Sequence, residues 1–425
     1  MRSRFLLIAL LAGGSVAEPA AAASWSEPVA VPGSTEGVLN RVAVARDGTV
    51  AVGWGPAIVA IRRPGGAWKL RRLAPASSSA QSTDIAFDPT GRLLVTWIHS
   101  PTPPGKALGG PYQVRAVTWT RRSGWGGVRV LGRSGHFGLA HPTITMNTTG
   151  DALIAWRGFR RAGRRVVEAV STSFRPAGGR FGREQQVRDG GPYRDVALDE
   201  RGNAYAVWTT YRGPFLRFAY RARGRGWGSP RTIAGPRASL ASLFVLPDRT
   251  AVVAYREADV DSEGNGLQAG AIRALVRAPA GSFGPVLRLS ESRAHEIVGA
   301  VSTTGELTLA WATADTFDPP GSSDLGFVVR SAAGVLSTPM TVPGVHAGQL
   351  PWPVAYLRDG SGLLAYGGEN MIRAAVRAPG VGAFGSPETI AARGLYPSLA
   401  VSGTTAVVAY YDLDARRVKV AARRP

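Results

Sequence analysis

The densest run of chemistry-bearing side chains is RGFRRAGRR, which places Arg157, Arg160, Arg161, Arg164 and Arg165 within nine residues. A guanidinium offers forked donors that match carboxylate, sulfate or phosphate. The segment reads equally as an anion-binding loop and as a solvated basic one. Acidic residues gather elsewhere, at Asp259, Asp261 and Glu263 and again at Asp315, Asp318 and Asp324. DVDSEG opens like a calcium loop, but Gly270 stands at the twelfth position, where the loop needs a glutamate. A solvated acidic loop is therefore the default, calcium a minor alternative, and no cofactor is expected. The five histidines, His99, His136, His141, His295 and His346, share no ligand spacing, so no metal site is expected. HP at His141, WP at Trp352 and YP at Tyr396, with Tyr193 and Glu296 nearby, offer rings that suit either stacking on sugars or packing between elements. No G-x-S-x-G, H-E-x-x-H or P-loop pattern occurs, and no nucleophile announces itself.

What could position these residues is written in a phrase that occurs eight times: RDGTVAVGW, DPTGRLLVTW, NTTGDALIAW, DERGNAYAVW, LPDRTAVVAY, STTGELTLAW, RDGSGLLAY and VSGTTAVVAY. In each, an aromatic (Trp54, Trp97, Trp156, Trp208, Tyr255, Trp311, Tyr366, Tyr410) follows a turn position by six residues, and glycine holds that position in six of the eight. A fixed offset from a turn through a short apolar run reads as a hairpin leading into a strand. The run is apolar throughout, so the strand is expected to be covered on both faces. A second phrase follows in several units, an apolar strand with arginine and then a glycine-rich turn, as in LRFAYRARGRGWGSPRTI. Each unit thus supplies four strands.

The spacings between successive aromatics, 43, 59, 52, 47, 56, 55 and 44 residues, match propeller blades with variable loops better than a solenoid of tighter period. The last unit ends at VKVAARRP without a fourth strand, and SWSEPVAVP near the start is a strand without a unit. The fold expected is all-β: one eight-bladed β-propeller of four-stranded antiparallel blades over residues 24–425, closed by the N-terminal strand pairing in the C-terminal blade. Loops from the second to the third strand, and from the fourth to the next blade, share one face. The longest and most variable segments fall there, together with all five histidines and the arginine run.

The first 23 residues carry Arg2 and Arg4, an apolar stretch and an A-x-A site, and read as a signal peptide for a secreted or extracytoplasmic protein. No later segment is apolar enough to span a bilayer. The 425 residues contain no cysteine and carry a net charge of +21, or +20 without the leader's Arg2, Arg4 and Glu18. That charge favours a polyanionic partner, such as an acidic glycan of the envelope or surroundings. Only Lys69, Lys106 and Lys419 are lysines, so an arginine-favouring coding bias competes as the explanation. Export and the absence of a recognition module argue against nucleic acid. A monomer is expected.

The chain resembles the secreted bacterial propellers loosely related to sialidase-type repeats. Their Asp box, S-x-D-x-G-x-x-W, has one echo in SSDLGFVV, where the terminal aromatic is missing. Sialidase chemistry would need an arginine triad, a tyrosine nucleophile and acidic partners, and no local motif assigns those roles. Quinoprotein dehydrogenases also have eight blades, but with a different tryptophan motif and often a cysteine pair. The function expected is non-catalytic binding of an anionic or carbohydrate ligand through Arg160, Arg161, Arg164, Arg165, His141, Tyr193, Trp352 and Tyr396. A sialidase-like glycoside hydrolase or lyase, and a protein-binding scaffold, are the alternatives.

Overall fold

The computed structural model describes residues 24–35, 40–75, 77–101, 111–134, 140–162, 165–187, 194–210, 215–260, 266–291, 294–313, 324–342 and 352–424. They form eight four-stranded antiparallel blades in a ring, and no helix. Numbered in chain order, the innermost strands are Asn40–Val44, Ser79–Phe87, Ala140–Met146, Arg194–Leu198, Ala238–Val245, Ala294–Val301, Val354–Tyr356 and Gly394–Ser402. The recurrent aromatic phrase forms the hairpin into each second strand. Gly48, Gly91, Gly150, Gly202, Gly305 and Gly360 hold its turn at φ between 78° and 92°, a conformation a side chain would strain. Arg249 takes φ 71° in blade 5, and in blade 8 Gly403, one position early, takes φ 61°. The second strands are covered on both sides as expected: every residue of Leu93–Ser100 and of Ala204–Thr209 is buried.

The ring closes where the sequence reading places the closure. Val29–Ala30 pairs with the third strand of blade 8, Val29 opposite Val420 and Ala30 opposite Lys419. The Ser26 amide donates to the Ala422 carbonyl (2.8 Å) and the Val31 amide to the Val418 carbonyl (2.9 Å). Val31 is fully buried among Val42, Trp54, Val407 and Val418, so the joint is also apolar.

Each repeat aromatic sits in the apolar cluster it shares with the preceding blade. Trp97 packs with Ala43 and Val59 of blade 1, Trp208 with Leu153 and Val170 of blade 3, and Tyr410 with Ile372 and Ala374 of blade 7. The eight aromatics therefore fill eight seams. Blades 5 and 6 go further and share one sheet through Gly270 opposite Ala294. A Cβ on Gly270 would lie 2.1 Å from the Glu257 carbonyl of the adjoining second strand, so glycine is required by the blade 5 hairpin itself.

The third strands add a polar device. Seven of the eight end in arginine: Arg62, Arg175, Arg221, Arg277, Arg330, Arg377 and Arg423, with Thr120 in blade 2. Several reach back to the preceding blade. Arg175 pairs with Asp88 (3.3 Å), Arg221 lies 4.7 Å over the Phe174 ring, and Arg277 lies 5.6 Å from both Phe218 and Tyr220. Arg377 is 1% exposed and bonds Glu306 of blade 6, the Tyr356 hydroxyl and the Val381 carbonyl. Part of the charge read from composition is thus committed to holding blades together.

Candidate functional site at the variable loop face

Two hairpins rise above this face. In blade 3, Ala152–Ala162 and Arg165–Arg175 stay paired for six residues beyond Trp156, up to Ala162 opposite Arg165. At ~3.4 Å per residue that is roughly 20 Å. In blade 5, Ala251–Val260 runs five residues beyond Tyr255, with Val260 opposite Gly266. Blade 4 stands between them, and its second strand ends one residue after Trp208. Between the two longer hairpins the shorter blade 4 leaves a step in this face, the trench.

The innermost strands begin with a shared irregularity. Register slips by one residue in blades 2, 3, 5, 6 and 8, which inserts Ser82, His141, Leu240, His295 and Tyr396 at the same structural position. Ser82, Leu240 and Tyr396 have φ of 54°, 46° and 54° there. Beyond the insertion the strands are latched across the seams: the Asp84 carboxylate accepts from the Ile144 amide (2.8 Å), Asp195 from Leu243 (2.8 Å) and the Ser398 hydroxyl from Val42 (2.9 Å). The inserted position on the inner strands thus varies among serine, histidine, leucine and tyrosine.

Of the residues singled out in the sequence, Arg160, Arg161 and Arg165 lie on the blade 3 hairpin and His141 and Tyr396 at the inserted position. Tyr396 is half-buried. Arg164 and Tyr193, like His136 and His346, lie outside the described residues. Trp352 is taken up by packing instead: it is 3% exposed, among Leu325, Phe327 and Leu364 at the seam of blades 6 and 7. A tryptophan so enclosed has no face left for a sugar. His99, at the end of a second strand, is buried, and burial and then Arg115 hold it below the usual imidazole range. Among the described residues no group of three or more metal-ligating side chains comes together. The segment from Asp261 to Asn265 in the calcium-like loop is not among them.

A charged cluster at the seam of blades 5 and 6 went unrecognised in the sequence, apart from Glu296. Arg273 donates to Glu257 (2.9 Å), to the Ser290 carbonyl (3.1 Å) and to both oxygens of Glu291 (3.3 and 3.4 Å). Arg256 donates to the Ser239 hydroxyl (3.0 Å). The signal was present, since basic residues recur four apart along third strands, as in Arg217 and Arg221, Arg273 and Arg277, and Arg373 and Arg377. Residues four apart on a strand share a face. The first of each pair lies toward the loop face and the second at the seam below.

Glu296 follows the inserted His295. Burial raises its carboxyl pKa, and the Arg256 charge only partly offsets this. As pH climbs above the ordinary value of 4.5, the unfolded chain releases this proton before the folded one does, so stability falls until the folded pKa is passed. Glu296→Gln is therefore expected to gain on the native protein as pH rises from 4 to 7, in paired urea melts. If the native protein gained instead, the Arg256 attraction would outweigh burial.

No protein-family model matches the chain, and no curated protein matches it. Among solved structures it is similar to the Dos1 propeller, with TM-score 0.53 and 9% identity over 95% of each chain. It is similar also to a polysaccharide lyase, an ulvan lyase bound to -[GlcA(1-4)Rha3S]-, with TM-score 0.51 and 12% identity over 80% of this chain and 90% of that one. A puromycin hydrolase mutant matches with TM-score 0.50 and 16% identity over 91% of this chain, which spans 58% of the hydrolase. At these identities the likeness is one of fold, the β-propeller.

Proposed function

We propose that the chain is an exported, monomeric binding propeller that engages an anionic or carbohydrate ligand on its variable loop face. The observation that carries this reading is the trench over blade 4, with the arginine-bearing hairpin of blade 3 as one wall. Loops and hairpins on a rigid scaffold are free to vary, and arginine there matches acidic groups. In the proposal Arg160, Arg161, Arg164 and Arg165 pair with the ligand's anionic groups, while His141, Tyr193 and Tyr396 contact it from the inner strands.

Binding to a panel of glycans and polyanions at physiological salt tests this. Simultaneous replacement of Arg160, Arg161, Arg164 and Arg165 by alanine is expected to weaken the best binder by about tenfold or more. A native protein that retains nothing on the panel would overturn the reading.

A second reading, a glycoside hydrolase or lyase, is favoured by Glu296, a carboxyl whose pKa burial raises against the opposing Arg256 charge. It requires turnover of an acidic glycan that is lost in Glu296→Gln. The presence of a lyase and a hydrolase among the propeller neighbours is compatible with either use of the face.

A further inference from the structure

The opposite face, where the short turns lie, carries a groove of about 780 Å³ between blades 2 and 3. That volume is within the ~300–1,000 Å³ common for small-ligand sites. Ala116 and Val117 line its depth, Phe181 one side, and Thr90, Thr118, Thr120 and Ser123 supply hydroxyls. Six arginines line it, Arg92, Arg121, Arg122, Arg129, Arg175 and Arg180, against the single carboxylate of Asp47, 3.8 Å from Arg121.

Repetition of the fold provides an internal control. The corresponding groove between blades 4 and 5 is similar in size, about 870 Å³, but is lined by only Arg231 and Arg277. Blade 2 differs because its third strand ends at Thr120, and Arg121 and Arg122 follow in the turn. The seam position is thus given up and cations face the groove.

Arg175 is the most telling residue. It is 3% exposed and lines the groove, and among the described residues its side chain makes one hydrogen bond, from Nη2 to Asp88 (3.3 Å). The other oxygen of Asp88 is occupied by the Thr90 amide and hydroxyl and by the Arg92 amide. The Arg175 Nε is buried without a partner among the described residues. A buried donor without an acceptor is costly, and other atoms of the same guanidinium line the groove.

We infer that this groove is a second binding site, for a short acidic oligosaccharide whose sulfate or carboxylate groups pair with the arginines. The hydroxyl-bearing residues suit sugar hydroxyls and the Phe181 ring suits the apolar face of a pyranose. This inference does not depend on the trench.

The test is isothermal titration at physiological salt with three probes: a heparin-derived sulfated hexasaccharide, the neutral maltohexaose, and a single-stranded oligonucleotide of matched charge. The native protein is compared with the triple variant Arg122→Ala, Arg129→Ala, Arg180→Ala, whose sites are exposed, and with a charge-matched variant, Lys69→Ala, Arg71→Ala, Arg72→Ala, on the exposed outer strand of blade 1. The groove variant is expected to bind the sulfated probe about tenfold more weakly and the charge-matched variant to change by less than about twofold. Equal losses in the two variants, no binding by the native protein, or equal binding of the oligonucleotide would each overturn the inference. If replacing the blade 3 hairpin arginines abolishes binding while the groove variant has no effect, the groove proposal fails and the trench proposal stands.

Discussion

A chain lacking residues 24–32 is expected to lose its cooperative melt and to aggregate. Those residues supply the Val29–Val420 pairing, the Ser26 and Val31 amide bonds to blade 8 and a hydroxyl acceptor for the Ala422 amide (3.0 Å). They also bury Val31 completely. At ~1 kcal/mol net per hydrogen bond and ~2 kcal/mol for a buried valine, the loss is roughly 5 kcal/mol or more. A whole domain has only about 5–15 kcal/mol to lose. Removal also bares the edge of Arg417–Arg423 to pairing with other chains. Thermal melts followed by circular dichroism and light scattering check this, and Val31→Asp, which buries a carboxylate among valines, should behave similarly. A truncated chain that melts within about 2 °C of its parent would show that closure contributes little.

Arg377→Ala should be the most damaging of the seam-arginine substitutions, at about 3–5 kcal/mol by chemical denaturation. The guanidinium is enclosed, and its removal leaves the Glu306 carboxylate and the Tyr356 hydroxyl without their shared donor. Burial already pushes the Tyr356 phenol up to about 12, which shows how little water reaches the site. The paired change Arg377→Met with Glu306→Gln should recover much of the loss, because no charge is then stranded. Arg423, which bonds the more exposed Glu388 at the next seam, should cost about 1 kcal/mol or less as alanine. Equal costs at Arg377 and Arg423 would mean that burial is not what decides.

The architecture was legible because one phrase recurs: glycine, apolar run, aromatic. The glycine is demanded by a left-handed turn and the aromatic by a seam, so neither drifts freely and eight copies can be counted. The fusion of blades 5 and 6 was not legible, since Gly270 lies in a loop-like, glycine-rich stretch and its partner Ala294 belongs to the next repeat. The arginine count misled for a related reason. Arg175, Arg221 and Arg377 have the composition of a basic surface but lie enclosed at seams.

The candidate site was harder to read, because it lies where the repeat stops repeating. WP at Trp352 and YP at Tyr396 look alike in sequence, yet the tryptophan is walled in by Phe327 and Leu364, while the tyrosine follows a register slip that leaves it half-buried. Burial of a ring depends on its neighbours across the seam, and those are far away in the chain. The blade 2–3 groove was invisible for the same reason, because its arginines come from five separate turns and strands.

The closing strand also dictates an order of events. Ser26 and Ala422 are 396 positions apart, so the segment that emerges first among the strands of its sheet is the last to find its place. Until blade 8 exists, the early segment has nowhere to dock. The rate of maturation should therefore be governed by this final long-range capture, slow as non-local pairings are.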